Sequence, residues 1–291
     1  MSMAEERVIK IGMLGLGTVG TGVYKVLKSQ QEEMLPKLGE RVELKKILVR
    51  NVEKAAAKVD DPSIITMNFE DIANDPEIEI VVEVMGGVEP AFTFVKKALE
   101  AGKSVCTSNK ALVAAHGPEL LEMAKERRLN FMFEASVGGG IPIIRPLNQS
   151  LTADEITKIT GILNGTTNYI LTKMSREGIS YQEVLKEAQA LGYAERNPEA
   201  DVEGYDACRK IAILTSLAFG NTVKFEEVYT EGITKISNED FAYAKELGSV
   251  IKLLATSYSK DGKVYAITAP FMIDSTPVSY THLRAHETEA D

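Results

Sequence analysis

Residues 191–214 read LGYAERNPEADVEGYDACRKIAIL. Glu195, Glu199, Asp201, Glu203 and Asp206 gather there just ahead of a helical pattern, and Lys210 follows Asp206 by four positions. Asp206, Lys210, Ile213 and Leu217 recur at i, i+4, i+7 and i+11, which makes one stripe down a helix. On a solvated face such an ion pair would contribute about 0.3–0.5 kcal/mol and no chemistry. Here the stripe continues into Ile and Leu, and ACRKIAILTSLAF is apolar around most of its girth, so Lys210 is expected in an enclosed cleft. Burial lowers the pKa of an amine and neighbouring carboxylates raise it. A lysine balanced between the two can give or take a proton near neutral pH, and the upstream carboxylates can hold an ammonium group.

A second chemical motif lies near the N-terminus. RVIKIGML reads as a buried strand, GLGTVG follows it, and VYKVL opens a helical pattern. A lone G-x-G-x-x-G says little, but between a strand and a helix it marks a dinucleotide site. Gly15 permits the tight turn, Gly17 lets the backbone approach a pyrophosphate, and Gly20 lets helix and strand pack closely. Leu16, Thr18 and Val19 complete the loop, and the helix N-terminus offers N–H groups to the phosphates. At the end of the second strand an Asp or Glu would suit the ribose hydroxyl of NAD, and an arginine the 2′-phosphate of NADP. Arg50 stands there, with Lys54 and Lys58 downstream, so NADP is favoured and NAD stays open.

These motifs need a frame. Strands are expected at 42–49, 78–85, 103–108 and 130–135, with helices in AFTFVKKALEAG and PELLEMAKERR. Alternating strands and helices imply an α/β Rossmann-type, doubly wound parallel sheet over residues 1–140. A second, α+β substrate and dimerisation domain is expected over 141–277. EASVGGGIPIIRPL joins the two and, by composition, reads as a plain hinge, although its carbonyls are the ligand type of a hard cation. In the second domain the pattern predicts a strand, a turn at Asn164-Gly165 and a helix. A Ser180/Glu183 capping box should open the next helix, which ends near Gly192 and leaves Tyr193, Ala194 and Glu195 in a loop. VKFEEVYTEGIT and SVIKLLATSYSKDGKVYAITAPFMI read as strands or as a helix–strand–hairpin unit, with Asp261-Gly262 as the turn.

The 291 residues suffice for two domains, and a net charge of −9 argues against nucleic acid or an anionic membrane surface as partner. No apolar run reaches the length of a membrane span, and MSMAEERVIK lacks a signal-peptide core, so the cytoplasm is expected. Two cysteines, Cys106 and Cys208, form neither a disulfide framework nor a metal pattern.

The order of GLGTVG, SNKAL, EASVGGGIPII, GILNGTTNYIL, LGYAE…DVEGYDACRKIAIL and YTEGI resembles homoserine dehydrogenase, over roughly residues 7–273. That resemblance implies NAD(P)-dependent interconversion of L-homoserine and L-aspartate 4-semialdehyde, on the route to threonine and methionine. By it, Lys210 donates a proton to the aldehyde oxygen, and Glu195 and Asp206 contact the substrate beside Gly192 and Tyr193. Ser108 and Lys110 lie against the cofactor, Lys110 also near the substrate. The resemblance further implies a homodimer and a monovalent cation such as Na+. The cation's ligands would be Glu134 and the carbonyls of Val137, Gly139 and Ile141, which replaces the plain-hinge reading.

Two other expectations compete. Aldehyde oxidation through a cysteine thiohemiacetal would need Cys106 or Cys208 near a histidine, from among His116, His282 and His286. From about Val278 the sequence VSYTHLRAHETEAD looks foreign to the family, so a catalytically impaired NADP-binding fragment is the alternative.

Overall fold

The structure is a computed structural model that describes residues 7–275. The His282, His286 and tail expectations therefore lie outside the described residues. The chain divides into two units, the first ending at Ser136 and the second beginning at Val137.

In the first unit, apolar runs such as IGML (11–14) and IVV (80–82) form the central strands of a parallel sheet. Its elements are β1 (Val8–Leu14), α1 (Thr18–Ser29), α2 (Gln31–Leu38), β2 (Arg41–Leu48), α3 (Val52–Ala56) and β3 (Ile65–Thr66). There follow α4 (Glu70–Ala73), β4 (Ile78–Glu83), α5 (Ala91–Glu100), β5 (Ser104–Thr107), α6 (Lys110–Glu126) and β6 (Phe131–Met132). The six strands are all parallel, in the order β3-β2-β1-β4-β5-β6. The order reverses between β1 and β4, and that switch point opens a crevice at the strands' C-terminal ends. This is the doubly wound Rossmann-type sheet. Met13, Leu16, Ile47, Ala55 and Val59 pack beneath the crevice on the β1–β2 side.

Two elements differ from the sequence reading. Helix α6 begins eight residues before Pro118, because Asn109 caps it by accepting from Leu112 N at 3.1 Å, and Pro118 sits inside the helix. Strand β3 was not foreseen; it is two residues long and too short to show a period.

The second unit is α+β. Its elements are β7 (Lys158–Gly161), α7 (Gly165–Glu177), α8 (Tyr181–Ala190), α9 (Glu199–Val202), α10 (Tyr205–Phe219), β8 (Tyr229–Thr230), α11 (Asn238–Glu246), β9 (Ser249–Lys260) and β10 (Lys263–Asp274). The sheet runs β7-β9-β10-β8, with β8 parallel to β10 and the other pairs antiparallel. The β9–β10 hairpin turns at Asp261 and Gly262, both with positive φ (51° and 73°), which suits the twist of a two-residue turn. Helices α7, α8, α10 and α11 bury Ile170, Leu171, Val184, Ile211 and Phe241 against Ile251, Leu253 and Ala255. Both capping-box bonds of Ser180 and Glu183 are present. The expected strand VKFEEVYTEGIT shrinks to Tyr229–Thr230 after a single 3-10 turn at Phe225–Glu227. Asn164-Gly165 is a helix start and not a free turn, since the Asn164 side chain accepts from Thr167 N at 2.9 Å and caps α7. No helix among the described residues is long and apolar enough to cross a membrane.

Candidate active site

The glycine-rich turn explains itself by what a methyl group would meet. Gly15 has φ +104°, and a Cβ there would lie 3.0 Å from the Val84 carbonyl oxygen. A Cβ on Gly20 would come within 2.4 Å of the Gly15 carbonyl oxygen, so this glycine lets α1 press on the turn. Above Gly17 a Cβ would meet nothing within 4 Å, and this open space leaves the backbone accessible to a phosphate. Gly17 is also the N-cap of α1, with no side chain satisfying the first N–H groups and no acidic residue in the first turn. Thr18 and Val19 are exposed at that end, while Leu16 is buried. A helix terminus of this kind favours an anion.

Arg50 is exposed two residues beyond β2, and its side chain makes no hydrogen bond or ion pair among the described residues. Glu53 lies inside α3, whose N-terminus is capped by Asn51, so no carboxylate occupies the strand end itself. Lys58, grouped with Arg50 as a downstream cation, does something else: its Nζ donates to the Leu16 carbonyl at 2.9 Å and fixes the glycine-rich loop from below. On the far side of the switch point, Ser108 N donates to the Glu83 carbonyl at 3.3 Å, and Lys110 is the first residue of α6.

In the second unit the stripe on α10 is buried from Asp206 through Ile213, and Leu217 is half-buried. Asp206 and Lys210 are each 4% exposed, and Lys210 Nζ stands 2.9 Å from Asp206 Oδ2. The same Nζ donates to the Leu163 carbonyl at 2.8 Å, so the ammonium is aimed from two sides. Asn164, 1% exposed, was missed by the sequence reading. Its amide nitrogen donates to Asp201 Oδ1 at 2.8 Å and Asp206 Oδ2 at 3.1 Å while its oxygen caps α7. The chain thereby brings Lys210, Asp206, Asn164 and Asp201 together. Asp201 was read only as one of the upstream carboxylates. A signal for Asn164 existed, since Asn before a helical run is a cap residue, but nothing local told that its donors face carboxylates.

The loop after α8 is joined to this cluster through Thr166, whose hydroxyl donates to the Tyr193 carbonyl at 2.8 Å. Gly192 makes the turn with φ +81°. Glu195 is exposed; its carbonyl accepts from Gln189 at 3.0 Å, and its carboxylate makes no hydrogen bond among the described residues. That leaves a carboxylate next to the cluster but not inside it.

The thiol alternative is not supported by the geometry. Cys208 is buried, its thiol lies 3.3 Å from the Phe225 carbonyl, and burial pushes its pKa up, away from a reactive thiolate. His116 stacks on Phe92 at 3.8 Å and pairs with Glu119, and burial pushes the Cys106 thiol up as well. In the glycine-rich joint, a Cβ on Gly138 would lie 2.5 Å from the Ile141 carbonyl oxygen, so only glycine allows the chain to fold back there. Among the described residues no three His, Cys, Asp or Glu side chains group as metal ligands.

Comparison with known proteins identifies both units. The family model of homoserine dehydrogenase matches residues 142–287, and that of the homoserine dehydrogenase NAD binding domain matches residues 15–134. The homoserine dehydrogenase of Bacillus subtilis is 45% identical over 278 residues, 95% of this chain and 64% of that protein. That of Synechocystis is 49% identical over 255 residues, 88% of this chain and 58% of the relative. The chain thus spans about three fifths of the curated relatives it matches. The crystal structure of a homoserine dehydrogenase from Thiobacillus denitrificans superposes with TM-score 0.88 at 43% identity, covering 94% of this chain and 64% of that one. A hyperthermophilic archaeal homoserine dehydrogenase in complex with NADPH gives TM-score 0.76 at 27% identity, covering 93% and 84%. With both units matched by family models and by relatives of this identity, the chain belongs to the homoserine dehydrogenase family.

Proposed function

We propose that the chain interconverts L-homoserine and L-aspartate 4-semialdehyde with a nicotinamide cofactor, and that NADP(H) is the preferred one. The observation that carries the reading is the buried Asp206–Lys210 pair, held by Asn164 and the Leu163 carbonyl. The cofactor supplies or accepts the hydride. Lys210 gives its proton to the aldehyde oxygen as negative charge develops there, and removes it in the reverse direction. Asp206 keeps Lys210 charged and oriented. Glu195 and Asp201 suit the substrate ammonium, with Gly192 and Tyr193 shaping that loop.

The first unit suits the cofactor. Open backbone at Gly17, the unsatisfied N-terminus of α1 and the exposed Arg50 match a pyrophosphate and a 2′-phosphate. Gly15, Leu16, Thr18, Val19 and Gly20 form the turn, and Ser108 and Lys110 belong to the nicotinamide side. The relative solved with NADPH supports the choice of cofactor. The reading extends to the family's remaining properties: a homodimer in the cytoplasm, serving threonine and methionine formation. A monovalent cation at Glu134 and the carbonyls of Val137, Gly139 and Ile141 completes it. Oxygen donors of that kind suit a hard cation rather than a transition metal.

The test is Lys210→Ala in the 291-residue chain. Homoserine oxidation with NADP+ should fall about 10²–10⁴-fold in kcat, with the NADPH dissociation constant unchanged. Near-normal turnover would remove Lys210 from the chemistry.

A further inference from the structure

Glu83 ends β4 and is fully buried, at 0% exposure. Among the described residues no Lys, Arg or His lies within ion-pair distance of it; neutral donors surround it instead. Met85 N donates to its Oε1 at 2.7 Å, the Thr107 hydroxyl donates to its Oε2 at 2.6 Å, and the Asn109 amide stands 3.5 Å from Oε1. Thr107 in turn accepts from Asn109 N at 2.9 Å, and the Asn109 amide donates to the Gly87 carbonyl at 2.6 Å. Thr107 and Asn109 are themselves buried.

This network ties the loop after β4 to the loop after β5. The first loop contains Gly86 and Gly87, both at positive φ (81° and 77°); a Cβ on Gly86 would meet nothing within 4 Å, and one on Gly87 only the Glu89 carbonyl oxygen at 3.8 Å. Two adjacent glycines have little conformational preference of their own, so the bonds to Glu83 and Asn109 decide where this loop lies. Its neighbour Val84 touches the nucleotide turn, since Cβ atoms on Gly15 and Gly20 would meet its carbonyl and its side chain. The second loop delivers Ser108 and Lys110, because Asn109 is the cap of α6. An apolar residue at position 83 would fill the core without the desolvation of a carboxylate. The strand ends on this side of the switch point face the nicotinamide half of a dinucleotide, and the β1–β2 side faces the adenosine half.

We propose that Glu83 is a positioning residue: its buried carboxylate, through Thr107 and Asn109, sets the two loops that receive the nicotinamide half of the cofactor. This rests on the reading of the crevice as an NADP(H) site. The adenosine half is served by separate residues, so the effect of Glu83 is confined to one end of the cofactor.

The experiment measures dissociation constants of NADPH and of 2′,5′-ADP, which lacks the nicotinamide half, for the 291-residue chain and for Glu83→Gln. NADPH should bind about tenfold more weakly to Glu83→Gln, about 1.4 kcal/mol, and 2′,5′-ADP should change less than about twofold. Thr107→Val removes the hydroxyl at nearly constant volume and should give the same split, and Thr107→Ser should restore NADPH binding. Equal weakening of both ligands in both variants would reveal a purely structural role and overturn the proposal, as would unchanged NADPH binding. If the unaltered chain binds neither ligand, the cofactor reading itself falls and the proposal with it, an outcome distinct from a failure of Glu83 alone.

Discussion

Lys252 on β9 is 5% exposed, yet it is a lysine. Its ammonium donates to Asn168 Oδ1 at 2.7 Å and to the Thr172 hydroxyl at 2.6 Å, both on α7. Burial pushes its pKa down from 10.5 to about 8, and Arg176 on the same helix adds repulsion. Below pH 8 the amine is charged in both folded and unfolded chains, and the folded state carries the whole penalty. Between about 8 and 10.5 the unfolded chain holds the proton and the folded chain does not, so stability rises with pH. Above 10.5 no penalty remains. The gap from 10.5 to about 8, at about 1.4 kcal/mol for each pH unit, amounts to about 3 kcal/mol.

Lys252→Met removes this dependence while keeping most of the volume. It also strips a donor from Asn168 and Thr172, a loss of about 1–3 kcal/mol for each group that does not vary with pH. The sign of the net change at any single pH therefore depends on both effects, but its slope does not. Urea unfolding of both proteins should show the variant's relative stability falling by about 3 kcal/mol between about pH 7 and pH 10.5. Other tyrosines and lysines titrate in both proteins and cancel in the difference. A difference that stays flat across this range would refute the argument that Lys252 is buried as a destabilised cation.

Two further outcomes follow from the first unit. Arg50→Ala should weaken NADPH binding by about 10–100-fold and leave NADH nearly untouched; equal losses measured by cofactor titration would assign Arg50 a structural role. Gly20→Ala should displace α1 from the Gly15 carbonyl, because the new Cβ would lie 2.4 Å from that oxygen. Thermal unfolding should show a loss of about 1–3 kcal/mol, with nucleotide binding abolished, and a variant that binds NADPH normally would show that the turn can yield.

What was legible in the sequence had a local cause. The three glycines of GLGTVG are spaced by backbone contacts within one turn, and the Asp206–Lys210 stripe by one turn of helix, so both could be read directly. Asn164 could not, because its role depends on carboxylates 37 and 42 positions away in sequence. Lys58 carried a misleading signal for the same reason: its charge suggested a phosphate, and only the fold shows that a carbonyl 42 positions earlier takes the bond. The start of α6 was hidden because Pro118 looks like a first helical residue, whereas Asn109 inside SNKAL holds the cap. VKFEEVYTEGIT has the composition of a strand, but its register with β10 is confined to Tyr229 and Thr230, with one further bond from Glu231 N to the Thr268 carbonyl, and composition alone does not reveal pairing.

A buried ion pair is a poor way to hold α10 in place. Removing two charges from water costs several kcal/mol for each ion, and an apolar pair of similar volume is often neutral or better. The helix has ample packing without it, since Ala207, Ile211, Ala212 and Leu214 are buried at 1% exposure or less. Yet this pair is supplied with partners from one other segment: Asn164 at the start of α7 and the Leu163 carbonyl beside it. Asn164 also binds Asp201 on α9. An amide suits that place because its two N–H groups satisfy two carboxylates without neutralising either, where a lysine would cancel one charge and an aspartate would add a third. Counted alone, Asp201, Asp206 and Lys210 carry one more negative than positive charge. Such an arrangement sacrifices stability to keep a cation fixed among anions, and the proposed reaction, which develops an alkoxide beside an ammonium group, would use that charge distribution.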